Sequence, residues 1–386
     1  MSSKKKQKTT RTTGTLRFED GAVQFRQRLI CSLLSHRPLL IKNIRSDDLE
    51  APGLRDYEAS FLRLLDTMTN GTNVEINNTG TQLRFKPGIL LGGSIEHDCP
   101  LSRNVGWYIE GILPLAPFGK EALEITLTGI TDGTSHVDPS PDYLAATTIP
   151  LMEKFGIGID LEESPPPHIR VVARGSAPKG EGCVEFFCPI EKELQPLDFI
   201  EMGKFKRVRG TCVSTRIPPS SAARVAHSAK GLLHRLLPDV WIHTDVHSSK
   251  KNGCGPSPGL SLWMAAETTE GVQICSETCM DYQAQRGSDL PEDVGTRGAA
   301  MLLDEVRKGG CVDTSCQSLA LLWMCLGPED VARIRLGTLS RYTIASLRLY
   351  KDVFGVEFKI KPDHSDKTVV MSCLGTGFRN MAKKST

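Results

Sequence analysis

At 386 residues the chain exceeds the roughly 100–200 residues of one ordinary domain, so two compact units are expected, one of them able to sit inside the other. With 39% hydrophobic and 24% charged residues, and no apolar run approaching the ~20 residues of a membrane span, neither a disordered chain nor an integral membrane protein is expected. The 47 Lys and Arg against 45 Asp and Glu leave a formal net charge of +2, which excludes a globally basic field and confines any nucleic-acid contact to local patches.

One patch opens the chain. Lys4, Lys5, Lys6, Lys8 and Arg11 stand among Ser and Thr, with no apolar stretch of the kind a secretory signal needs. Residues 1–14 read as a solvated, disordered basic tail, with nuclear import or phosphate contact as the other reading.

Residues 23–35 place Phe25, Leu29 and Leu33 at helical spacing, Pro38 breaks the run, and residues 39–44 read as a strand. A second helix over 57–68 carries Phe61, Leu62, Leu65 and Met68 on one face. A hairpin over 73–85 follows, turning at 78–80. Helix candidates ending in Phe118-Gly119, Phe155-Gly156 and Phe354-Gly355 each lead into a strand-like segment, at 123–130, 157–162 and 356–361. Glycine there suits a left-handed C-terminal cap. The recurrence predicts an α+β protein in which helix–strand modules pack side by side, helices on one face of mixed sheets. The prolines of 164–168 and the Gly/Pro/Lys-rich stretch 175–182 read as connections.

From about 189 to 277 the texture changes. Lys204, Lys206, Arg207 and Arg209 cluster in one strand-like segment, a helix is predicted over 220–237, and 250–258 is a polar loop. This stretch is expected to be a smaller inserted α/β domain. The large domain then comprises 15–188 and 278–378, with a C-terminal tail at 379–386. Helices are predicted at 291–307 and, buried, at 319–326.

Twelve cysteines without a signal peptide read as reduced thiols rather than a disulfide framework, and Cys183, Cys188 and Cys373 sit in apolar strand-like segments. Cys275 and Cys279 are separated by three residues rather than two and have no second pair, so a zinc site is not expected. His243, Asp245 and His247 fall in a segment that alternates like a strand. A shared solvated face is the favoured reading over a metal site.

Several motifs resemble the RNA 3′-terminal phosphate cyclase family, and within it the eukaryotic cyclase-like branch. They are Asn43-Ile44-Arg45 with Pro52-Gly53-Leu54, Lys86-Pro87-Gly88 leading to Gly92-Gly93, Leu115-Ala116-Pro117-Phe118, and Met152-Glu153-Lys154-Phe155-Gly156, in the family's order over most of the chain. The resemblance implies modules like the C-terminal domain of translation initiation factor three, with a smaller inserted domain.

True cyclases activate an RNA 3′-phosphate with ATP through a histidine in a His-Leu-x-Asp-Gln segment. Here the segment reads Gly310-Cys311-Val312-Asp313-Thr314-Ser315-Cys316-Gln317, so the glutamine survives and the histidine does not. Ser315 or Cys316 could be offered as substitutes, but no activating base is evident beside either. The family's glycine-rich phosphate loop is reduced to Phe18-Glu19-Asp20-Gly21-Ala22-Val23, keeping Glu19 and one glycine. Arg26 falls where the family has an arginine. The arginine that should follow Asn-Ile-Arg falls in Ser46-Asp47-Asp48, where a phosphate would meet repulsion of about 1 kcal/mol per close pair. Arg45 either contacts RNA or pairs with Asp47 or Asp48.

The resemblance therefore implies a noncatalytic protein with no cofactor and no metal. It would be a nuclear and nucleolar component of the small-subunit processome, needed for early precursor ribosomal RNA cleavages. Its implied partners are a ribosome-assembly GTPase and a pre-ribosomal particle of precursor RNA and small nucleolar ribonucleoprotein. Lys4, Lys5, Lys6, Lys8, Arg26, Arg45, Lys204, Lys206, Arg207 and Arg209 are the candidate phosphate contacts. The alternative is an endonuclease for precursor RNA, for which Asp47 with Asp48, or Arg348 with Lys351 and Asp352, are loose candidates.

Overall fold

The computed structural model describes residues 14–132, 138–159, 165–248, 253–280 and 290–381. The first sheet is built from β1 (Leu16–Phe18), β2 (Leu39–Ile41), β4 (Asn73–Ile76) and β5 (Leu83–Lys86). Helices α1 (Phe25–Ser35) and α2 (Asp56–Met68) connect the early strands, and β3 (Thr69–Asn70) clips onto β6 (Ile89–Leu90). The second sheet contains β7 (Gly93–Asp98), β8 (Leu123–Gly129), β9 (His168–Ala173) and β10 (Gly182–Cys188), with α3 (Val105–Ile112) and α4 (Pro141–Lys154) between them. The third opens with β11 (Asp198–Phe199).

The chain then builds a fourth sheet before it returns. Strands β12 (Phe205–Thr215), β13 (Val240–His247), β14 (Gly259–Thr268) and β15 (Gln273–Cys279) form it, with α5 (Pro219–Leu233) and α6 (Pro291–Lys308). The third sheet is completed by α7 (Gln317–Leu326), β16 (Val331–Leu336), α8 (Arg341–Phe354), β17 (Lys359–Asp363) and β18 (Thr368–Leu374).

The first three sheets share one strand order: β1-β2-β5-β4, β7-β8-β10-β9 and β11-β16-β18-β17. In each the first pair is parallel and the others antiparallel. Burial alternates along β8 and β10, so one face of the strand points inward while the other meets solvent. The inward residues Phe85, Ile125, Phe186 and Ile334 join the apolar faces of α1, α3, α7 and α8 in one continuous core centred on fully buried Trp323. The fourth sheet has a core of its own, in which Cys212, Ile242 and Leu262 meet Val225 of α5 and Val294 and Leu302 of α6.

The predicted helices of the first 70 residues and the hairpin at 78–80 appear where expected. Two local expectations fail. No strand forms over Ile157–Ile159, because Gly156 and Gly158 both adopt positive φ and turn the chain, and the next strand waits until His168. The remainder of that predicted strand lies outside the described residues. Gly119 is not a left-handed cap, since its φ is −70° and α3 ends earlier at Ile112. A Cβ there would come within 2.9 Å of the Glu121 carbonyl oxygen, so close backbone approach is what requires glycine.

Candidate functional site

Counted back from Gln317, the position of the family's histidine holds Asp313. This residue is 3% exposed and lies in the turn that leads into α7. One carboxylate oxygen accepts from the Cys316 backbone N–H at 3.1 Å and the Ser315 hydroxyl at 2.6 Å, which closes the turn before α7, while the other accepts from the Cys275 N–H of β15 at 3.4 Å. Burial raises the Asp313 carboxyl above its ordinary value.

The neighbouring side chains are equally occupied. The Thr314 hydroxyl donates to Glu305 of α6 at 2.8 Å, and the Ser315 hydroxyl lies 2.7 Å from the Tyr143 hydroxyl of α4. The turn is therefore a junction of α4, α6, α7 and β15. A carboxyl group does stand beside Ser315, that of Asp313 two residues earlier, but its oxygens are taken by the Ser315 hydroxyl and the Cys316 and Cys275 N–H groups. Cys316 is 5% exposed, and burial pushes its thiol well above the ordinary range, away from the reactive thiolate.

Gln317, the surviving family residue, is 1% exposed. Its amide donates to the Thr338 carbonyl at 3.2 Å and accepts from the Thr343 hydroxyl at 2.9 Å, tying α7 to the start of α8. Replacing it with leucine removes the acceptor from the buried Thr343 hydroxyl and is expected to cost about 1–2 kcal/mol in urea denaturation.

Arg26 and Arg45 are likewise engaged. Arg26 pairs with Glu110 of α3 at 2.6 Å, donates to the Trp107 carbonyl, and lies 4.4 Å over the Trp107 ring. Arg45 makes a two-pronged pair with Glu58, both contacts at 2.7 Å. Its expected pairing with Asp47 or Asp48 is thus corrected: Glu58 is 3% exposed at the third position of α2, where it also accepts the Arg55 N–H and cannot be left uncompensated. Asp48 instead accepts the Glu50 and Ala51 N–H groups and pairs with Arg55 at 2.7 Å. The loop itself is closed down by Arg28, which reaches Asp20 at 2.6 Å and the Gly21 carbonyl at 3.1 Å.

The basic strand segment is exposed but not unpaired. A register shift between Phe205 and Arg207 lets Lys206 and Arg207 share Glu267 of β14, at 2.7 and 2.6 Å. Arg209 forms a bidentate pair with Asp239, both contacts at 2.8 Å. Lys204 is exposed just before β12. Lys4, Lys5, Lys6 and Lys8 lie outside the described residues. Of the nuclease candidates, Arg348 and Asp352 are exposed on α8, Lys351 pairs with Glu357 at 2.9 Å, and Asp47 is exposed.

Three features escaped the sequence reading. Arg174, between β9 and β10, is 8% exposed and is surrounded by Asp142, Asp245 at 3.2 Å and Asp132 at 3.8 Å. Glu277 accepts the Ser140 N–H at the start of α4 with both oxygens, at 3.0 and 3.1 Å, and burial pushes it up to about 7. Trp241 is 65% exposed on β13. The period-two pattern that groups His243, Asp245 and His247 places Trp241 on the same face, and this was the signal available.

Residues 17–360 match the family model described as RNA 3′-terminal phosphate cyclase. A probable RNA 3′-terminal phosphate cyclase-like protein of Dictyostelium discoideum is 46% identical over 96% of this chain and 100% of its own. The RNA 3′-terminal phosphate cyclase-like protein of Bos taurus is 48% identical, over 94% of this chain and 96% of its own. A Schizosaccharomyces pombe protein named as an rRNA processing protein is 39% identical over 97% of this chain and 99% of its own. With matches of this extent, the chain belongs to the RNA 3′-terminal phosphate cyclase family.

Proposed function

We propose that this chain is a noncatalytic assembly factor of the small-subunit processome, needed for early precursor ribosomal RNA cleavages in the nucleolus. It acts there by binding a ribosome-assembly GTPase and a pre-ribosomal particle carrying precursor RNA and small nucleolar ribonucleoprotein. The S. pombe relative's name points to ribosomal RNA processing, and the cyclase-like names of the others point away from cyclase chemistry.

The observation that carries the reading is the state of the turn before α7. Asp313, Thr314 and Ser315 are spent on holding β15, α6 and α4 together, and an aspartate at the nucleophile's position cannot form the phosphoramidate an imidazole forms. The arginines that would meet the nucleotide's phosphates already face Glu110 and Glu58. In the same reading, the three sheets of common strand order are modules like the C-terminal domain of initiation factor three. We place the smaller unit within the third of them, over about 204–308 where the sequence had suggested 189–277, a placement supported by the pairing of β11 with β16 and the packing of α6 on α5.

Incubated with ATP labelled at its α-phosphate and an RNA ending in a 3′-phosphate, the chain is expected to form neither a covalent adenylate nor a cyclic phosphate. Asp313→His is expected to stay inactive too, since the phosphate loop and arginines remain closed. Either product from the unsubstituted chain overturns the reading. Depletion in cells is expected to leave precursor RNA uncut at its early sites; normal cleavage would count against the assembly role.

A further inference from the structure

The fourth sheet has helices α5 and α6 on one face. Its opposite face is covered only in part, where Trp263, Ala265 and Cys275 meet Tyr143 and Ala146 of α4. The other half, formed by β12 and the edge strand β13, is met by Arg174 and Ser176 only at its Asp245 and Thr215 end; at the opposite end, beside Arg209, its most prominent side chain is Trp241. An indole 65% in water is costly to leave exposed, because tryptophan is on average among the more buried residues.

The setting of Trp241 is cationic. Arg209 is its register partner on β12, Lys230 Nζ stands 5.8 Å from its ring centroid, and Arg207 precedes Arg209 on the same face. With Lys206 the patch holds four cations against two carboxylates, Glu267 and Asp239. The Arg209–Asp239 pair is solvent-facing, worth about 0–1 kcal/mol, and exchanges readily for another anion, while Glu267 is less exposed but sets one carboxylate against two cations, which leaves positive charge to spare. Two arginine forks beside an exposed indole are the parts from which single-stranded nucleic acid is bound: stacking for a base, bidentate donors for phosphate.

We propose that the β12–β13 half-face is a binding platform for single-stranded RNA, with Trp241 stacking one base and Arg207, Arg209 and Lys206 taking the adjoining phosphates. This rests on the reading of residues 204–209 as an RNA contact and adds the aromatic element that gives it preference for unpaired bases. A duplex keeps its bases stacked on one another and offers Trp241 nothing.

The test uses the full chain and an unstructured fluorescent 12-nucleotide RNA, read by anisotropy across a salt series. Trp241→Ala is expected to weaken binding roughly tenfold with an unchanged salt slope and unchanged melting curve, since the side chain is exposed, while Trp241→Phe retains most of the affinity. Charge-neutralising substitution of Arg207 and Arg209 is expected to flatten the salt slope by about one to two. If Trp241→Ala binds as wild type while the arginine variant weakens, the platform is overturned and the basic contact stands. If neither variant changes binding, both fall. Equal affinity for a duplex of the same sequence also overturns the platform, and an acidic peptide that displaces the RNA only in the Trp241-containing chain would assign the face to protein instead.

Discussion

Replacing Arg174 by alanine is expected to lower the unfolding free energy by about 3–5 kcal/mol, the cost of leaving a buried charge without its partner. Arg174 lies where the second sheet meets the fourth: its N–H donates to the Gly253 carbonyl at 2.8 Å and its carbonyl accepts the Gly255 N–H at 2.7 Å. Its guanidinium is the counter-charge for Asp132, Asp142 and Asp245, and despite burial, which acts to lower it, those carboxylates hold it more firmly protonated than usual.

Asp132 is the costly one to abandon, being 4% exposed. Burial already raises its carboxyl, and Arg174 and Ser176 pull it back. Without Arg174 it rises further. A carboxyl raised in the folded state stabilises below its unfolded value and loses that stability as pH climbs through the folded value. The deficit of Arg174→Ala should therefore be larger at pH 8 than at pH 5. Asp245→Asn, at the half-exposed end of the same cluster, should cost less than about 1 kcal/mol. Urea midpoints at the two pH values decide the matter: equal midpoints for wild type and Arg174→Ala would remove Arg174 from any role in joining the sheets.

What could be read in the sequence was local periodicity. Helix α2 was legible because Phe61, Leu62, Leu65 and Met68 recur at helical spacing, and α8 because Gly355 takes the left-handed conformation (φ 70°) at its end. The departures from the family's motifs were legible as substitutions at fixed spacings. What those substitutions now do was not, because the partners come from distant elements: Asp313 from Cys275 of β15, Arg26 from Glu110, Arg207 from Glu267 sixty residues away. The basic cluster at 204–209 looked like free charge for the same reason. Only folding brings Asp239 and Glu267 beside it. Trp241 was a different kind of miss, since alternation along β13 gave its side and only the lack of a covering element made that side matter.

The junction also carries a pH signature. Glu277 sits at the N-terminus of α4, where the helix dipole and the Ser140 N–H favour a carboxylate. Burial outweighs them, with Asp142 and Asp138 adding to it, and raises the group from an ordinary 4.5 to about 7. Between those values the folded chain holds a proton the unfolded chain has released. Unfolding is then linked to proton release, so this group's contribution is complete below about pH 4.5, declines as pH rises, and is gone above about 7. A shift of this size corresponds to about 3 kcal/mol.

Glu277→Gln keeps an acceptor for the Ser140 N–H and removes the titration. The variant is expected to match wild type near pH 4.5 and to exceed it by about 2–3 kcal/mol at pH 8, as read from urea denaturation at half-unit pH steps. A difference between the two proteins that stays constant across the series would show that Glu277 titrates alike in the folded and unfolded chains, with the α4 terminus offsetting its burial.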